Sequence, residues 1–139
     1  MGEKNKRPQV GVGALIFRNG KVLFGKRLSK LGEKTWGLVG GHLEFGETPE
    51  ECLKREILEE IGLEMISAEL ICVSNVLDYD KHYIDFEFKV EVEPGEPKLL
   101  EPEKFEQWKW FDIENPPKPL FKAAELALKS YKNGKFYNS

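Results

Sequence analysis

The stretch Gly41-His42-Leu43-Glu44-Phe45-Gly46-Glu47-Thr48-Pro49-Glu50-Glu51-Cys52-Leu53-Lys54-Arg55-Glu56-Ile57-Leu58-Glu59-Glu60-Ile61-Gly62-Leu63 holds a loop, a helix with both ends marked, and a run of carboxylates on that helix. Thr48-Pro49-Glu50-Glu51 is a capping box with proline at the first helical position, and Gly62 is a left-handed stop. The spacing predicts a helix over 49–61. At about 100° per residue, Glu56, Glu59 and Glu60 fall within an arc of roughly 100°. Leu53, Ile57 and Ile61 occupy the neighbouring sector and can dock on a sheet. Three carboxylates on one edge repel one another, and they also make a set of hard oxygen ligands suited to Mg²⁺ or Mn²⁺. A Glu-rich helix face is more often solvated surface, so the triplet alone does not decide between the two.

Upstream of this stretch, Gln9 to Phe17 is apolar on both alternating faces, as a central strand covered on both sides would be. Asn19-Gly20 supplies the pair of positive φ angles of a tight hairpin, and Val22-Leu23-Phe24 starts the return strand. Trp36-Gly37-Leu38-Val39 is a further short apolar piece. Downstream, strands are expected near 65–77 and 83–93. In the second, Ile84, Phe86, Phe88, Val90 and Val92 face one way, and Asp85, Glu87, Lys89 and Glu91 the other. Glu106 to Ile113 reads as another strand, with Trp108 and Trp110 on one side. A final helix is expected to carry Leu120, Phe121, Ala124, Ala127, Leu128 and Tyr131 on its apolar stripe. The pattern makes one mixed-sheet α/β domain over 9–139, behind a flexible tail over 1–8.

Composition narrows the class. The chain has 139 residues, 40% of them hydrophobic, enough for a core without disulfides or a structural zinc. With 21 basic against 24 acidic residues there is no broad basic field, so no nucleic-acid partner is expected. No apolar run approaches the ~20 residues that span a bilayer, and no signal peptide opens the chain, so no membrane partner is expected. Cys52 and Cys72 match no zinc spacing. These features suit a reduced, cytoplasmic protein.

The segment Gly41–Leu63 fits G-x5-E-x7-R-E-U-x-E-E-x-G-U, with apolar Ile57 and Leu63 at the U positions. Given the chain's own composition, such a match arises by chance on the order of one time in a million. On it, and over most of its length from Val10 onward, the chain resembles the Nudix hydrolase family. The resemblance implies an α/β/α sandwich with a mixed β-sheet that hydrolyses a nucleoside diphosphate linked to another group. It implies Glu56, Glu59 and Glu60 as ligands of Mg²⁺ (Mn²⁺ being the alternative), with the Gly40 carbonyl completing the shell. Glu56 is also the candidate to orient or deprotonate the attacking water, and Arg55 with Glu47 the supporting ion pair. Val39 stands where the family commonly has proline, a change in the entering loop that removes no catalytic group.

A polyanionic diphosphate repels a nucleophile, so positive charge must be supplied at the site. Arg27 is the first candidate for a phosphate clamp, because its planar fork can bind two oxygens; a solvated strand end is the competing reading. An additional carboxylate is expected from Glu103 or Glu106, with Glu106 preferred. Leu38, Gly40, Gly41 and His42 are expected to border the substrate, and Trp110 to stack on a nucleobase, unless it packs into the core instead.

The segments 41–47 and 101–110 resemble the MutT-type branch of nucleotide triphosphate diphosphatases. That implies cleavage of a normal or oxidised nucleoside triphosphate to monophosphate and pyrophosphate, often by a homodimer. Two alternatives stay open. A dinucleoside polyphosphate hydrolase tends to have a tyrosine in the region after the helix, for which Tyr79 is the candidate, and the ADP-ribose type typically has a proline that is missing between Leu63 and Pro94. A non-catalytic nucleotide-binding module is the reading of another class, and such modules typically lose the glutamates that this chain keeps.

Overall fold

The computed structural model describes residues 6–139. Of the tail expected over 1–8, residues 1–5 lie outside the described residues, and residues 6–8 are exposed and without regular structure. The order that follows is β1 (Gln9–Arg18), β2 (Lys21–Arg27), β3 (Trp36–Gly37), β4 (Val39–His42), α1 (Pro49–Ile61), β5 (Met65–Asp78), β6 (Lys81–Val92), β7 (Phe105–Asp112), α2 (Lys122–Asn133) and β8 (Tyr137–Asn138). The strands form a mixed sheet in the order β3-β2-β1-β6-β5-β8, with β4 added on β1 and β7 on β2. Strand β1 runs parallel to β6 and antiparallel to β2 and β4.

The alternation along β1 builds the layers. Val12, Ala14 and Ile16 point to one face, where Cys52, Leu53, Ile57 and Ile61 of α1 close over them together with Phe88 and Val90. Leu15 points to the other face and meets Val22, Phe24 and the α2 residues Ala124, Ala127 and Leu128. One helix on each face of β1 gives the expected α/β/α sandwich. Both cysteines are buried and free. Among the described residues no helix is long and apolar enough to cross a membrane.

Helix α1 starts and stops where the sequence marks it. The Thr48 side chain accepts from the Glu51 amide, the Glu51 carboxylate accepts from the Thr48 amide, and Gly62 takes φ 72°. Asn19 and Gly20 form the hairpin turn at φ 53° and 76°. The start of α2 departs from the expectation. Leu120 and Phe121 precede the helix instead of riding on it, because this backbone pairs with Trp36: the Phe121 amide donates to the Trp36 carbonyl at 2.8 Å. Phe121 is the N-cap and has no capping side chain, so the Lys122 amide donates to the Tyr79 hydroxyl at 3.0 Å instead. That bond ties the β5–β6 turn to the head of α2.

Candidate active site

Because the capping box fixes the start of α1, Arg55 faces back over the preceding loop. It donates from Nε to Glu47 Oε2 at 2.7 Å and from Nη2 to Glu47 Oε1 at 3.0 Å. Its Nη1 donates to Glu56 Oε2 at 3.0 Å and to Glu59 Oε1 at 3.2 Å, and Nη2 also reaches the His42 carbonyl at 3.3 Å. The Arg55 bonds, helped by the Glu44 amide, hold the Glu47 carboxyl down at about 2. The same bonds hold the guanidinium well above its ordinary value.

Glu60 differs from its neighbours. It is only 3% exposed, and its one hydrogen bond among the described residues is from the Gly40 amide to Oε1 at 3.0 Å. Burial pushes its carboxyl up to about 9, and nearby Glu56 and Glu101 add to the rise. Burial also raises Glu56, against the pull of Arg55. Among the described residues no three carboxylate, imidazole or thiol groups stand close enough, as the side chains lie, to hold an ion between them. The expected trio therefore shares a helix edge without closing on one point. Glu56 and Glu59 are drawn to Arg55, Glu59 is half exposed, and Glu60 turns to Gly40. The donor set nonetheless fits a hard divalent cation, which would give the buried Glu60 the positive partner it lacks.

A cavity of about 450 Å³ opens beside these groups. Glu56, Glu60, Gly40, Gly41 and His42 line one side of it; Arg27, Lys104, Leu38, Tyr79 and Phe121 line others. The glycine pair is sterically required there. A Cβ at Gly41 would sit on the Glu56 carboxylate, and one at Gly40 on the Val12 carbonyl. Arg27 lies over the Phe121 ring at 4.0 Å and donates from Nε to the Leu31 carbonyl and from Nη2 to Ser29 Oγ, both at 3.0 Å. His42 stacks on Tyr83 with its Nε2 3.0 Å from the hydroxyl. The reading of Arg27 as a solvated strand end fails on this placement.

Two expected residues stand elsewhere. Glu106 is exposed and does not line the cavity, because Phe105 beside it is the residue turned inward. The carboxylate of this loop that comes near Glu60 is Glu101, whose Oε1 is buried without a partner among the described residues. Trp110 does not line the cavity either. It packs against the α1-side core, with the Arg18 guanidinium 4.9 Å above its ring. Sequence reasoning also missed Lys104, Asp85 and Glu87, all of which line the cavity. For Asp85 and Glu87 the alternation along β6 was visible. It did not reveal that this polar face lies under α2, where Glu87 is 1% exposed.

Known proteins resemble this chain in sequence and in fold. The sequence matches the NUDIX domain over residues 7–132. It is 36% identical over 132 residues to an ADP-ribose pyrophosphatase of Methanocaldococcus jannaschii, covering 91% of this chain and 76% of that protein. It is 30% identical over 125 residues to an RNA pyrophosphohydrolase of Aeromonas hydrophila, covering 75% of this chain and 69% of that one. The crystal structure of a MutT NUDIX hydrolase from Burkholderia pseudomallei superposes with a TM-score of 0.85 at 35% identity, over 89% of this chain and 98% of that chain. The Arg55-organised glutamate helix, the sandwich that holds it and the match across nearly the whole chain lead to one conclusion: this protein belongs to the Nudix hydrolase family.

Proposed function

We propose that the chain hydrolyses a nucleoside triphosphate, normal or oxidised, to the monophosphate and pyrophosphate. The observation that carries this reading is the cavity of about 450 Å³ that is lined by Glu56 and Glu60 and also by an aromatic wall of Tyr79 and Phe121. Its volume is in the range of pockets for one small ligand. Arg27 and Lys104 supply cations for the phosphates. Glu56 borders the cavity and burial makes it a stronger base than an exposed glutamate, which suits it to orienting or deprotonating the attacking water. Arg55 and Glu47 act as positioning residues. Magnesium or manganese held by Glu56, Glu59, Glu60 and the Gly40 carbonyl would offset the charge of the diphosphate and polarise the bond that breaks.

The relative named ADP-ribose pyrophosphatase favours a second reading, in which the diphosphate joins a nucleoside to a sugar. A substrate panel read by product mass separates the two. Nucleoside triphosphates, ADP-ribose, dinucleoside polyphosphates and a 5′-triphosphorylated RNA are incubated with the protein and Mg²⁺. Release of pyrophosphate from a nucleoside triphosphate supports the first reading; AMP with ribose phosphate as the main products would replace it by the second, and cleavage of the RNA alone would overturn both.

A further inference from the structure

The inner end of the cavity has a built polar floor that hydrolysis of a diphosphate does not require. Asp85 and Glu87 sit on one face of β6, in register with Gly11 and Gly13 of the parallel strand β1. The two glycines leave open the space that core side chains would fill, and all four residues line the cavity. A side chain at Gly11 would collide with the Asp85 carboxylate; one at Gly13 would start 3.7 Å from Glu87 Cγ and 3.9 Å from its Oε2.

Glu87 is locked in place. The Asn138 amide donates to Ser74 Oγ at 3.1 Å, so the Ser74 hydroxyl proton is free for Glu87 Oε1, also at 3.1 Å. The Cys72 thiol donates to the same oxygen at 3.3 Å. Glu87 Oε2 is buried and has no partner among the described residues. A polar atom in that position costs stability unless a ligand or water meets it. Burial raises both carboxyls, Asp85 to about 6 and Glu87 to about 8, so a neutral Glu87 can also donate to a ring nitrogen.

We propose that Asp85 and Glu87 read the base of the bound nucleotide, selecting a base with an amine at the edge it presents to them (cytosine or adenine) over one that presents a carbonyl there. An exocyclic amine offers N–H donors to the acceptors on this floor, whereas a carbonyl oxygen would face the Asp85 carboxylate with lone pair against lone pair. The stacked Tyr79 and Phe121 rings, 5.0 Å apart and nearly parallel, give the same cavity the flat wall a base needs. The proposal rests on the reading of this cavity as a nucleotide site and deepens it by naming the base edge.

The test compares binding of CMP with UMP and of AMP with IMP by calorimetry, pairs that differ in an amine against a carbonyl, alongside turnover of the substrate panel. The wild type is expected to bind the amino member of at least one pair about tenfold or more tightly. Asp85→Asn, which replaces an acceptor by a group that can donate, is expected to bring that ratio to within about threefold, with an unchanged melting temperature as the control for folding. Equal binding within both pairs, or a ratio unmoved in Asp85→Asn, overturns the proposal. Amine selectivity in a protein that cleaves no triphosphate would leave the base assignment standing and remove the proposed reaction instead.

Discussion

Arg55 holds Glu47 with two nitrogens, Nε at 2.7 Å and Nη2 at 3.0 Å, while its remaining nitrogen holds Glu56 at 3.0 Å. One guanidinium thus connects the loop before the helix to a carboxylate that borders the cavity. A lysine cannot reproduce that fork. Arg55→Lys is expected to lower kcat about 10- to 100-fold, with a circular-dichroism spectrum like the wild type's. Turnover close to wild type would show that the fork does not position Glu56.

Thr48 and Glu51 satisfy two amides at the start of the same helix, at 3.1 and 2.8 Å. Thr48→Ala removes the side-chain acceptor and should cost about 1 kcal/mol. In a chain of this size that lowers the melting temperature by roughly 3–5 °C. Thermal denaturation followed by circular dichroism measures it.

Gly13 and Gly41 predict opposite outcomes for the same added methyl. At Gly13 a Cβ would be 3.4 Å from Leu38 Cδ1, an ordinary contact, and it would extend into the cavity. Gly13→Ala should leave stability within about 1 kcal/mol of wild type and raise KM. At Gly41 the methyl would land on the Glu56 carboxylate and displace it. Gly41→Ala should therefore depress kcat. Steady-state kinetics on both variants separates the two effects.

Glu87 makes stability depend on pH. Burial, with the charge of Asp85 adding to it, raises the folded-state value from 4.5 to about 8, while the Cys72 and Ser74 bonds oppose the rise. Between those values the unfolded chain gives up the proton and the folded chain keeps it. The folded state then binds more protons, so this group's contribution falls as pH rises through that window and levels off above about 8. Glu87→Gln keeps the acceptor for Ser74 and has no proton to lose. It should match wild type near pH 4.5 and become the more stable protein by on the order of 1–3 kcal/mol at pH 8. Urea unfolding at the two pH values tests this, and a stability difference that does not change with pH would contradict it.

Local signals in the sequence were strong enough to read α1 and the β1–β2 turn, because capping, proline and positive-φ residues act within a few positions. The cavity was not readable in that way. It exists because Gly11 and Gly13 face Asp85 and Glu87 across two strands about seventy residues apart in sequence, a pairing that periodicity within either strand cannot reveal. The Tyr79-Asp80 turn falls in the gap expected between the two strands, but its geometry carried no local signal. Both residues take positive φ, at 54° and 58°, without the glycine that normally advertises it. Which acidic side chain of 101–106 comes near Glu60 was not readable, because Glu101, Glu103 and Glu106 look alike in sequence and only burial sets Glu101 apart. The two-residue strand β8 has no period to detect, yet its Asn138 amide orients Ser74 beneath Glu87.

In the proposed reaction the buried Glu60, beside Glu56 at the cavity edge, serves metal-dependent hydrolysis of a diphosphate bond. The direct measurement is Mg²⁺-dependent pyrophosphate release from nucleoside triphosphates by wild type and by Glu60→Gln, whose amide nearly preserves the shape and can still accept from the Gly40 amide. Wild-type turnover that EDTA abolishes is expected, with a loss of at least about a hundredfold in a folded Glu60→Gln protein. Metal-independent turnover, or a Glu60→Gln protein as active as wild type, would contradict it.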